Sequence, residues 1–208
     1  MYFGERLNSI SHLVGAAFSL VGLGALLTVS ISYKDPFMIV SFSIYGFSLV
    51  LLYTMSTLYH SFRPSRIKNL FRSLDHVSIY LLIAGTYGPF MLVSLRESMG
   101  PWILAFVWGL ALVGIALELF LKVRKINLQL FIYIAMGWAV AFDYGSLQSS
   151  MSGTAFFWLV FGGACYMVGV FFFILDLRDK LIHAHGIWHF CVLLGSLSHF
   201  IGILGYVR

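Results

Sequence analysis

His185 and His189 stand four residues apart in HAHGIWHFCVLLGSLSHF, a stretch that is otherwise apolar enough for a membrane interior. Burying an imidazole there costs free energy unless its nitrogens are satisfied. Residues i and i+4 share one face of a helix, so this pair can aim two nitrogen donors at a single point. Ser56 and His60 repeat the spacing, Asp75 and His76 stand side by side, and Glu5, Asn8 and His12 follow an i, i+3, i+7 pattern. A third imidazole from another helix would complete three protein ligands. Zinc accepts nitrogen donors and is chemically useful when its fourth position is left to water. The candidate metal ligands are therefore His60, His185 and His189. Three neutral imidazoles leave a +2 ion unbalanced, which makes Asp75 the carboxylate expected beside it. Glu5, Asn8 and His12 read either as partners that hold the ligands, as a cluster capping a helix N-terminus, or as a proton-handling face.

The elements that must bring these groups together are membrane helices. Of the 208 residues, 60% are hydrophobic and only 10% are charged, with a mean hydropathy of +0.92. Soluble domains run nearer to about 25% charged. Apolar stretches fill nearly the whole length, so a single all-α domain over 1–208 is expected, a seven-transmembrane helix bundle. Hydropathy and breaker residues predict spans at 9–32, 37–60, 75–95, 101–122, 127–147, 154–175 and 183–206. Between them lie SYKDP, the basic SFRPSRIKNLFRS, RESMGP and SSMSG, all short, so successive helices are antiparallel. MYFGERLNSISH lacks the pattern of a cleaved leader, and the first span is expected to be retained.

With the N-terminus cytoplasmic, Arg6, Arg63, Arg66, Lys68, Arg72, Lys122, Arg124, Lys125, Arg178 and Lys180 fall inside, against Lys34, Arg96 and Arg208 outside. That asymmetry predicts N-in, C-out, which requires an odd number of spans. The same distribution explains the net charge of +5 without a nucleic-acid partner, because no basic face or stripe exists. Under this topology Ser56, His60, Asp75, His185, His189 and the Glu5–His12 face all lie at one level near the cytoplasmic boundary. His76 and His183 read as interfacial. His199, ten residues beyond His189, reads as packing or pore-lining, and Asp143 as paired or interfacial. Cys165 and Cys191 lack metal or redox spacing and read as structural thiols.

The segments NSISHLVG, STLYHSF, SLDHVSIYLLIAGTYGPF and HAHGIWH, taken in order, resemble the bacterial hemolysin III proteins of the progestin and adipoQ receptor superfamily. The resemblance covers essentially the whole chain. It implies a cytoplasmic-side zinc site with His60, His185 and His189 as ligands and with Asp75 and Ser56 holding water, in a bacterial inner membrane. The motif layout is also similar to that of alkaline ceramidases, and it implies a role in membrane lipid composition or energetics.

Three functions follow as alternatives. One is a zinc-dependent hydrolase of a lipid amide or ester, with Asp75 and Ser56 as catalytic groups and membrane lipids as partners and substrate. Another is a zinc-stabilised sensor or receptor-like protein without catalysis. The third is an ion or proton transporter, disfavoured because its ionisable groups cluster at one depth instead of crossing the membrane.

Overall fold

The computed structural model describes residues 1–2, 4–120 and 125–207, and every regular element among them is helical. Lys122, Arg124 and Arg208, used in the charge count, lie outside the described residues, as does the end of the fourth span. The helices are α1 (Arg6–Tyr33), α2 (Pro36–Ser61), α3 (Arg66–Pro89), α4 (Gly100–Phe120), α5 (Ile126–Trp138), α6 (Tyr144–Ser150), α7 (Gly153–Leu177) and α8 (Ala184–Tyr206). A 3-10 turn, Ala139–Asp143, joins α5 to α6, and the three pieces make one crossing. Among the described residues seven helical stretches are long and apolar enough to cross a membrane, and the chain is a multi-pass membrane protein.

Local chemistry sets the helix starts. Pro36 occupies the first turn of α2, where its missing N–H costs nothing, and the Asp35 side chain accepts from Phe37 N–H at 2.9 Å. Ser152 caps α7 through Ala155 N–H. Ser65 caps α3 by accepting from Lys68 N–H at 3.2 Å, so α3 begins at Arg66 rather than at the expected residue 75. Hydropathy detects the lipid-immersed part of a helix, and the Arg66–Arg72 turns are basic yet helical. Asp75 is consequently well inside α3 instead of opening it.

Two irregularities have identifiable causes. Pro89 closes α3 and a π-turn follows over Phe90–Ser94, with Leu95 N–H bonded to the Phe90 carbonyl at 2.9 Å. The fifth crossing loosens where the Tyr87 hydroxyl enters its backbone ladder. That hydroxyl donates to the Met136 carbonyl at 2.6 Å and accepts from Val140 N–H at 3.0 Å.

In the bundle α1 runs along α2, α2 along α3 and α7 along α8, while α1 also closes against α8. Gly15 allows the approach of three helices: a Cβ there would stand 2.9 Å from Tyr53 Cδ1 on α2 and 2.8 Å from Leu193 Cδ2 on α8. Tyr45 and Tyr53, both buried, donate from α2 to the Ser196 and Val192 carbonyls of α8. Large apolar side chains such as Phe18, Trp102 and Phe131 point outward, as a lipid solvent permits.

Candidate metal centre

α2 delivers His60 in its last turn, just before the chain turns extended at Phe62. α8 delivers His185 and His189 from its first two turns, behind His183, an exposed left-handed residue at its N-cap. His183 thus stands at the loop edge of α8. The three imidazoles converge: ring centroids are 5.1 Å apart for His60–His185 and 4.9 Å apart for both other pairs. One nitrogen from each lies within 4.8 Å of those of the other two, a group that could hold a metal ion.

Each ring is gripped from behind by a different oxygen. His60 Nδ1 meets the Glu5 carboxylate, and His185 Nδ1 meets Asp176 Oδ2 at 2.9 Å. An ionised carboxylate only accepts, so both rings donate from Nδ1. His189 Nδ1 lies 3.3 Å from Ser11 Oγ, whose own proton goes to the Asn8 carbonyl at 3.0 Å. The Ser11 oxygen therefore accepts from His189. As a neutral ring, each is thus the Nδ1–H tautomer, whose lone pair is on Nε2. Among the described residues His60 Nε2 is buried without a hydrogen-bond partner, which is the condition of an atom able to ligate a cation. The donor set fits a borderline-soft ion such as zinc.

Charge around the cluster is consistent with a dication. Lys68 Nζ bonds the other Glu5 oxygen at 2.6 Å and sits 4.9 Å above the Tyr59 ring. Partial burial pushes the Glu5 carboxyl up, but the hydrogen bonds from His60 and Lys68 outweigh it and hold the group at about 2. Asp75 lies beside the buried Ser56 and within interaction range of His60 and His185. A dication together with Lys68 would balance the three carboxylates of Glu5, Asp75 and Asp176.

The Glu5–Asn8–His12 face divides its labour. Glu5 holds His60, the Asn8 backbone orients Ser11, and His12 stacks on His189 with centroids 3.6 Å apart. Spacing alone does not single out Ser11 or Asp176. Asp176 carries one usable signal, a carboxylate ending the sixth span at the same level as the other groups. His76 is paired across helices, on a different face of α3 from Asp75. One position along α3 turns a side chain by about 100°, so His76 leaves the Asp75 face, and its Nδ1 lies 3.4 Å from Glu118 Oε2 on α4. Gln129 of α5 donates to the same Glu118 oxygen, and Tyr133 hydroxyl donates to the His76 carbonyl at 3.0 Å. This second buried polar group, centred on Glu118, ties α3, α4 and α5 together and also escapes the sequence reading. His199 donates from Nε2 to the Leu159 carbonyl at 3.0 Å, tying α8 to α7. Asp143 accepts from Met99 N–H at 3.3 Å and is paired.

Comparison with known proteins gives a consistent picture. The profile of the family described as haemolysin-III related matches residues 2–200. Hemolysin-3 of Bacillus cereus is 41% identical over 203 residues, covering 98% of this chain and 91% of that protein. The hemolysin-3 homolog of Bacillus subtilis strain 168 is 41% identical over 202 residues, covering 97% and 93%. The human monocyte to macrophage differentiation factor is 33% identical over 176 residues, covering 79% of this chain and 69% of its own length. A bundle of seven membrane helices, a cluster of three histidines and a match along nearly the whole chain lead to one assignment: this protein belongs to the haemolysin-III related family, within the progestin and adipoQ receptor superfamily.

Proposed function

We propose that the protein is a zinc-dependent hydrolase acting on a lipid amide or ester, with a role in membrane lipid homeostasis. The observation that carries this reading is the convergence of His60, His185 and His189, each held through Nδ1 by an oxygen partner, with one nitrogen of each within 4.8 Å of those of the others. Those three residues would hold the ion. Zinc supplies Lewis acidity and brings the pKa of water from 15.7 to about 7. Asp75, next to the cluster, orients the attacking water and takes its proton. Ser56, beside Asp75, donates a hydrogen bond to the oxygen of the carbonyl as negative charge develops there. The scissile group must reach the level of α2's last turn, which lets acyl chains lie along the apolar helices.

The test is turnover of ceramides, lysolipids and acyl amides by purified protein of measured zinc content. Product formation that falls at least about a hundredfold in Asp75→Ala at equal zinc occupancy supports hydrolysis. Equal turnover in both proteins ends that reading.

A second reading has its own observation. The ligands come from α2 and α8, and the groups that grip them from the α1 segment and α7, so a bound ion would clamp four helices. A zinc-stabilised sensor without catalysis fits this arrangement. It requires that chelation change membrane-protein stability and signalling output together while no lipid product forms.

A further inference from the structure

His12 is the one imidazole near the cluster whose nitrogens the fold leaves without a role. Its ring is only 3% exposed, and neither Nδ1 nor Nε2 has a hydrogen-bond partner among the described residues. The ring is stacked on His189 with planes 10° apart, and the edge-on Tyr53 ring closes its other side at 5.0 Å. The His60 and His185 side chains and the His189 backbone also lie within interaction range of it, although neither ring nitrogen makes a hydrogen bond of acceptable geometry among the described residues. Yet His12 is not part of the group whose ligand atoms converge on one point.

Leaving a buried polar atom unsatisfied costs about 1–3 kcal/mol. Two such atoms on one membrane-buried ring point to a partner that arrives with a ligand. Packing alone does not account for the choice of residue, since a phenyl ring would stack between His189 and Tyr53 without that penalty. A neutral imidazole offers one N–H donor and one acceptor, so the matching chemistry is an oxygen that can accept.

We propose that His12 is a substrate-binding residue, whose ring N–H donates to the acyl carbonyl oxygen of the lipid amide or ester bound at the three-histidine cluster. The inference rests on the hydrolase reading above and adds a fourth histidine to it, supplied by α1 and engaged with substrate instead of metal.

The experiment uses full-length protein in detergent, loaded with Co²⁺ so that visible absorption reports coordination, and titrated with acetohydroxamate as a carbonyl-bearing probe. His12→Phe keeps the stack and removes both nitrogens. It is expected to bind the same molar amount of cobalt as the native chain while the Kd for the hydroxamate rises about tenfold or more. His12→Asn or His12→Gln, which place an amide near Nδ1 or Nε2, should recover part of that loss. His12→Leu provides the same comparison if the phenylalanine variant does not fold. Unchanged hydroxamate affinity in the apolar variant overturns the proposal and leaves His12 a packing residue. Loss of cobalt from it also overturns the proposal, making His12 a metal-site residue. A native chain that takes up no cobalt fails at the earlier step and removes the hydrolase reading with it.

Discussion

Ser11 gives its hydroxyl proton to the Asn8 carbonyl and therefore meets His189 Nδ1, 3.3 Å away, only as an acceptor. That single relationship fixes which nitrogen of His189 keeps its lone pair. Glu5 and Asp176 do the same for His60 and His185 with full charges. Oxygen partners behind ligating histidines raise their basicity and hold their planes, so the three grips belong to the centre as much as the rings do.

Removing a grip is expected to weaken the site without abolishing it. Asp176→Ala and Ser11→Ala should each lower zinc affinity about 10–100-fold while leaving the stoichiometry at saturation unchanged. His185→Ala should lose stoichiometric binding. Competition with a coloured chelator measures both, and native-like affinity in all three variants would show that the metal sits elsewhere.

Metal removal is expected to destabilise the bundle. An ion bound only to the folded state contributes about 4 kcal/mol at a thousandfold excess over its dissociation constant. Tm in detergent should fall on dialysis against a chelator and return with Zn²⁺ but not with Mg²⁺, whose preference for oxygen ligands does not match three imidazoles. Equal melting with and without chelator contradicts a metal clamp.

Glu5 makes stability depend on acid. Its folded pKa of about 2 lies below the ordinary 4.5, so its contribution is fully present above about pH 4.5 and disappears as the pH falls toward 2. In metal-free protein, the Tm difference between native chain and Glu5→Gln should be constant at pH 6–7 and shrink steadily below about pH 4.5. A difference that stays constant down to pH 2 would show that the carboxylate's charge contributes nothing.

Gly15→Ala probes the convergence of α1, α2 and α8. Its Cβ meets the buried Tyr53 ring and Leu193, so about 1–3 kcal/mol of overpacking is expected, read as a lower Tm. Because Tyr53 abuts His12, the same substitution should disturb zinc affinity, whereas Gly24→Ala, with open space at its Cβ, should leave both readings unchanged.

Glu118→Ala separates the two buried polar groups. Leaving Gln129 and His76 without their shared carboxylate should cost about 1–3 kcal/mol of stability. Zinc stoichiometry should be unaffected, and a loss of metal would instead link the two groups.

Composition and hydropathy by themselves determined seven membrane helices, because the bilayer demands long apolar segments whose backbone bonds are satisfied internally. Spacing determined that His185 and His189 share a face, since the helical period is local. The sequence could also suggest His60 and Asp75 as companions by depth. Contacts across helices were decided only by tertiary structure. Asp176 and Ser11 reach their histidines from helices whose rotation about their own axes hydropathy does not report. His76 turns toward Glu118 although Asp75, its neighbour, turns toward Ser56. The start of α3 at Arg66 escaped for a related reason, as a helix held by a serine cap and basic residues has no apolar signature. Period and solvent are written along the chain, whereas rotation, tautomer and the stacking of His12 on His189 arise only when helices distant in sequence pack against each other.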